Sequence, residues 1–170
     1  ESLMIKSFEL RHFRCFKFLE VRDCSRINII VGDNGAGKTS LLEGIFLALA
    51  SSTEVALRYR QQRGLEGSFG GQIRKIEEAM WRDLFFKQDW SQTLSISLNG
   101  NGPESRTVRA YRSSPSVSLP IEDSPSLPFD TNRSGEQRAG AVNFVWTDAA
   151  GREFVAKPSV TKRGIEFPGT

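Results

Sequence analysis

Gly32-Asp33-Asn34-Gly35-Ala36-Gly37-Lys38-Thr39 fills every fixed position of the pattern G-x-x-x-x-G-K-[ST], and Ser40 follows directly. These residue types suit one kind of chemistry, the holding of a phosphate chain by main-chain N–H groups. The backbone must come close to the phosphates and turn tightly. Gly32, Gly35 and Gly37 allow both, because glycine lacks a Cβ and tolerates positive φ. Lys38 brings an ammonium to β- and γ-phosphates, and Thr39 offers a hydroxyl to Mg²⁺. Asn34 adds an amide donor on the γ-phosphate side. The binding set read from this stretch is Gly32, Asp33, Asn34, Gly35, Ala36, Gly37, Lys38, Thr39 and Ser40, with Thr39 as the metal-side ligand.

Such a motif is expected between a strand and a helix. Before it, Ile27-Asn28-Ile29-Ile30-Val31 is short, apolar and β-branched, which predicts a strand. After it, Leu41, Leu42, Ile45, Phe46, Ala48 and Leu49 recur at helical spacing. The helix N-terminus near Lys38 adds its positive dipole end and unpaired donors to the anion site.

The rest of the chain supplies the frame. Met4 to Phe13 predicts a strand, Phe16 to Val21 a second, and Arg14-Cys15 the bend between them. Two strands joined so closely are antiparallel. The strand before the loop is then the third. Glu54 to Gln62 is helix-compatible, with Arg58, Arg60 and Arg63 read as a solvated basic face. Gly64 to Gly71 is read as a glycine-rich loop, and Gln72 to Phe86 as an amphipathic helix with Trp81, Phe85 and Phe86 as core aromatics. Leu94, Ile96 and Leu98 alternate inward, Asn99 to Pro103 turns, and Thr107 to Tyr111 returns, a hairpin. Asn143 to Trp146 and Glu153 to Ala156 make a second one. Residues 113–139, rich in proline and serine, are expected to be a flexible excursion. The tail to Thr170 shows no closing element.

Composition sets outer bounds. The chain has 170 residues, 38% of them hydrophobic, enough for one domain with a real core. A formal net charge of +3 permits nucleic-acid binding without demanding it. No run of about eighteen apolar residues is present to span a membrane. Cys15 and Cys24 lack metal-ligand spacing and are expected to be thiols, and His12 is the single histidine. Glu1-Ser2-Leu3 precede Met4, which reads as a natural start, so the first three residues are read as an appended remnant.

Two stretches together resemble a known group. His12-Phe13-Arg14-Cys15-Phe16, followed by Ile29 to Ile45 with its Gly35-Ala36-Gly37-Lys38-Thr39-Ser40-Leu41-Leu42-Glu43-Gly44-Ile45 run, is similar to the start of ABC-type ATPases of the SMC, RecF and OLD-like group. His12 stands where that group usually has Asn, and Gly44 where it has Ala. The resemblance covers about the first 50 residues strongly. It implies an α/β P-loop NTPase N-terminal lobe, a mixed sheet with antiparallel hairpins around the P-loop helix. It implies ATP and Mg²⁺ as cofactors and places Arg14 near the nucleotide. It implies a cytoplasmic protein in DNA repair, chromosome maintenance or phage defence, with no membrane partner. Its partners would be its own C-terminal lobe, a second copy in a homodimer, and DNA or a partner enzyme.

Two parts of such an ATPase are not found. A Walker B strand needs four apolar residues ending in Asp-Glu. Leu119-Pro120-Ile121-Glu122-Asp123 has the wrong order, and Phe144-Val145-Trp146-Thr147-Asp148 lacks the second acid. Arg133-Ser134-Gly135-Glu136-Gln137-Arg138 matches the L-S-G-G-Q signature only superficially and is read as a polar loop. Residues 1–170 therefore read as one partial ATPase head, inactive in hydrolysis alone. A non-catalytic, nucleotide-gated module that docks a partner through its hairpins is the alternative. A kinase or GTPase shares the loop, but no N-K-x-D-like stretch for guanine is present.

Overall fold

The computed structural model describes residues 4–50, 81–113, 142–161 and 164–166. Six strands form one sheet in the order β2-β1-β3-β4-β5-β6. The strands are β1 (Ile5–Phe13), β2 (Phe16–Val21), β3 (Leu94–Gly100), β4 (Arg106–Arg112), β5 (Val142–Thr147) and β6 (Glu153–Ala156). Every neighbouring pair is antiparallel. Both expected hairpins form, β3 with β4 and β5 with β6, because alternating residues can bury one face of each strand. Leu10 faces Leu19 on one side and Ile96 on the other. Ile96 in turn faces Val108. This register brings Phe8, Leu10, Leu94, Ile96, Leu98, Val108, Ala110, Val142, Phe144 and Trp146 onto one buried face, and Phe13, which follows His12 at φ 51°, is buried with them.

Helix α1 (Lys38–Leu49) covers that face with a stripe of Leu41, Gly44, Leu47 and Ala48. The approach is close at Gly44, where a Cβ would lie 2.6 Å from Leu10 Cδ2 and 3.3 Å from Phe13 Cε1. The far end of α1 is capped by the sheet. Ala50 N–H donates to Phe46 O at 2.9 Å. The Trp146 indole N–H donates to Leu47 O at 3.0 Å, and Arg106 donates to Leu49 O at 3.0 Å. Carbonyls that a helix end leaves without intrahelical donors thus find partners on β4 and β5. Trp81, Phe85 and Leu84 close the core, with Trp81 edge-on to Phe144 at 5.4 Å between centroids.

Three expectations are corrected. Ile27 to Val31 is not a strand; it runs as irregular chain, with Ile27, Ile29 and Val31 more than 80% exposed. Among the described residues this run pairs with no strand, and β-branched residues hold a strand only by packing in one. The helix expected to reach Phe86 stops at Arg82 within its described part, and Phe86–Gln88 is a 3₁₀ turn with Lys87 at positive φ. The tail is not featureless: β7 (Ser159–Thr161) and β8 (Gly164–Glu166) pair as a small hairpin. The Glu54–Gln62 helix, the Arg58, Arg60 and Arg63 cluster, the Gly64–Gly71 loop and nearly all of the 113–139 excursion lie outside the described residues.

Candidate nucleotide site

The loop wraps back onto its own lysine. Lys38 Nζ donates to Gly32 O at 2.6 Å and to Asp33 O at 2.8 Å. Asn34, Gly35 and Ala36 form the turn, closed by Ala36 N–H donating to Asp33 O at 3.2 Å. Gly35 and Gly37 sit at φ 84° and 95°, the left-handed region that glycine enters without strain. Gly37 is the N-cap of α1, and the first helical bond runs from Leu41 N–H to Gly37 O at 2.9 Å.

That helix end is electrostatically incomplete. No side chain caps it, and its first turn holds no acidic residue. The first N–H groups of α1 and the positive end of its dipole therefore face outward beside an ammonium, which is a donor set for an anion. Gly32 to Ala36 are exposed, as is Thr39, so the loop and its hydroxyl are open to solution. The structure brings Gly32, Asp33, Asn34, Gly35, Ala36, Gly37, Lys38, Thr39 and Ser40 together at this end of α1.

Arg14 is held differently. It lies in the β1–β2 turn at φ 52°, its side chain only 9% exposed. Its Nε stands 3.3 Å from Glu43 Oε2 on α1. Its Nη1 pairs with the Asp83 carboxylate and donates to Asp83 O at 3.2 Å, while its backbone N–H donates to Leu84 O at 2.8 Å. Glu43 had no role in the sequence reading, although a carboxylate one step from Gly44 on an apolar stripe signals a buried cation nearby. The same turn rests on the loop: a Cβ on Gly37 would lie 2.7 Å from Cys15 Sγ and 2.8 Å from Phe16 Cζ.

Asp148 is a turn acid. Its carboxylate accepts the backbone N–H of Ala150 and of Arg152, each at 2.9 Å, and pairs with the Arg152 side chain at 2.7 Å. The Arg152 N–H above all holds its pKa below the ordinary carboxylate value. The Phe144–Asp148 run is therefore a hairpin, as its single acid suggests. The Leu119–Asp123 and Arg133–Arg138 stretches lie outside the described residues. Among the described residues, no cluster of three His, Cys, Asp or Glu is placed to hold a metal.

Comparison with known proteins agrees with the motifs. Residues 7–102 match the model of a family described as AAA domain. A DNA replication and repair protein RecF from Idiomarina loihiensis is 51% identical over 45 residues, 26% of this chain and 13% of that protein. RecF of Lachnospira eligens is 36% identical over 99 residues, 58% of this chain and 27% of that protein. RecF of Heliobacterium modesticaldum is 33% identical over 113 residues, 55% of this chain and 30% of that protein. The chain thus spans under a third of the length of these relatives. A chain from a structural study of ATP-driven dimerization and DNA-stimulated activation of SMC ATPases overlays on 97% of this chain and 69% of its own length. Its TM-score is 0.34 and its identity 14%, too low to carry weight. The family match spans more than half of the chain and takes in the Arg14 turn, the glycine loop and all of α1, so the chain belongs to the AAA domain family.

Proposed function

We propose that this chain is the nucleotide-binding N-terminal lobe of an ABC-type ATPase head, cytoplasmic and acting in DNA metabolism (repair, chromosome maintenance or phage defence). The observation that carries this is the glycine loop folded around Lys38 at an uncapped helix N-terminus. ATP fits that donor set. Gly32 to Ser40 would surround its phosphates with N–H groups, Lys38 would exchange two neutral carbonyl partners for phosphate oxygens, and Thr39 would turn its hydroxyl to Mg²⁺. Mg²⁺ held there would supply charge neutralisation for the phosphates.

Hydrolysis is assigned to the complete protein, through a C-terminal lobe and a homodimer. Two surfaces support a further lobe. The Ile27–Val31 run is solvated, and Leu42, Phe46 and Leu49 of α1 are each at least 40% exposed on the side away from the sheet. The RecF names of the relatives support DNA, or an enzyme acting on it, as the partner class. No described helix is long and apolar enough to cross a membrane.

The test is titration of the full chain with MgATP and MgADP, beside Lys38→Ala. A charge-assisted contact of about 1.5–3 kcal/mol predicts an affinity loss of roughly ten- to a hundredfold with the fold unchanged. Equal affinities in the two proteins, or rapid ATP turnover by this chain alone, would overturn the reading.

A further inference from the structure

We propose that Arg82, Lys87 and Arg112, grouped around Trp90, grip the phosphate backbone of a nucleic acid without reading its bases. The proposal rests on the DNA-metabolism reading above and names the surface of this chain that meets the polymer.

Segments far apart in sequence deliver these side chains to one place. β1 ends at Phe13, β3 begins at Leu94 and β4 ends at Arg112. Arg11 faces Ser95 and Leu94 faces Ala110, so the three ends share one rim of the sheet. Trp90 leads into β3 and rests on the core while staying partly exposed. Arg112 Cζ lies 4.5 Å from its ring centroid and Arg82 Cζ 5.7 Å. Lys87 Nζ stands 5.5 Å from the centroid of the nearby Phe86 ring.

Stacking of this kind has a chemical consequence. The ring attracts the flat face of a guanidinium and leaves the N–H donors on its edge unspent. Among the described residues Arg112 makes no hydrogen bond or ion pair. Arg82 spends only Nε, on Gln88 O at 3.3 Å. All three cations are exposed. The two acids of the segment are committed elsewhere: Asp83 pairs with Arg14, and the Asp89 carboxylate accepts the Ser91 N–H at 3.1 Å and the Ser91 hydroxyl at 2.6 Å. Oriented forks with free edges match phosphate oxygens. A tryptophan already occupied by guanidinium groups is a poor platform for stacking bases, so the contact falls on the backbone.

The chain is strained where it presents the lysine. Lys87 and Gln88 stand in succession at φ 53° and 59°, the left-handed region that non-glycine residues avoid. Strain of this kind gathers at ligand-binding places, where the surroundings hold it. Here the Arg82 bond to Gln88 O fastens the kink beside the stacked pair, and Lys87 is left in solvent next to it.

The experiment titrates the full chain, without nucleotide, against a short DNA duplex, the matching single strand and a second duplex of unrelated sequence. Salt is varied between about 50 and 200 mM, and anisotropy gives Kd. Three phosphate contacts predict a slope of log K against log salt of about −2.7 on duplex. Arg82→Ala, Lys87→Ala and Arg112→Ala should each weaken both duplexes by one common factor, about three- to tenfold, and flatten the slope by about one. Arg112→Lys and Trp90→Leu should lose affinity with the slope kept, since the charges remain and the held fork does not. Arg152→Ala removes the same unit of charge from the β5–β6 turn and should change nothing. An equal loss in Arg152→Ala would mean attraction by overall charge and overturn the proposal. So would unchanged binding in the triple alanine variant, binding of the single strand alone, or a poly-glutamate peptide held as tightly as duplex by the same residues. Arg82, Lys87 and Arg112 are exposed, so their variants are expected to fold even where Trp90→Leu does not, and they decide the outcome. MgATP binding without DNA binding would remove this surface alone; patch-dependent DNA binding without MgATP binding would remove the nucleotide reading alone.

Discussion

Gly44→Ala sets two effects of opposite sign against each other. In a free helix, alanine is better than glycine by about 1 kcal/mol. Here the added methyl would stand 2.6 Å from Leu10 Cδ2, 3.3 Å from Phe13 Cε1 and 3.5 Å from Leu10 Cγ. A leucine tip would swing aside on a surface, but Leu10 and Phe13 are at most 1% exposed and packed between α1 and the strands. Overpacking of this kind costs about 1–3 kcal/mol. The balance is a net loss of about 1 kcal/mol, or about 2–4 °C in Tm for a chain of this size. Urea denaturation of the full chain, followed by tryptophan fluorescence, reads it directly. Leu10→Val makes room for the methyl, so the double variant should be about 1 kcal/mol more stable than the sum of the singles predicts. If Gly44→Ala raises the midpoint, or if the two changes simply add, helix propensity outweighs the contact and the packing argument is wrong.

Trp146→Phe keeps a ring in the core but removes the N–H that meets Leu47 O. A buried carbonyl left without its donor predicts a loss of about 1–3 kcal/mol, seen as a lower urea midpoint with an unchanged slope. Asp148 has a depressed pKa in the folded chain, chiefly from the Arg152 N–H. Its contribution is therefore present above the ordinary aspartate value of about 3.9 and is lost as pH falls through the lower folded value. Asp148→Asn should flatten that acid limb of the stability curve, and an unchanged limb would place the acid sensitivity elsewhere.

The hairpins and the loop-to-helix junction were legible because each has a local rule behind it. Leu94, Ile96 and Leu98 alternate with serines, and a β-strand must follow that period. Gly37-Lys38-Thr39 fixes where α1 starts, and the structure starts it there. The Ile27–Val31 run was misread for a physical reason. Its composition suits a strand, but a strand is a property of two chains side by side, and the second is not written in the first. Glu43 was passed over because its partner lies in a turn far back in the sequence. The carboxylate partners of Arg14 come from the way Asp83 and Glu43 converge in three dimensions, which the order of residues does not display. The β7–β8 pair is too short for periodicity to reveal.

The bare Ile27-Asn28-Ile29-Ile30-Val31 run has a practical side. Five residues without charge or proline, mostly β-branched and turned to water, are the composition from which intermolecular cross-β stacks are made. Arg26 and Asp33 bracket it closely, the placement by which natural chains discourage such stacking. Among the described residues, this run ahead of the glycine loop is thus a site where copies of the isolated polypeptide are expected to associate. Higher ionic strength, which screens those two bracketing charges, is expected to favour that association.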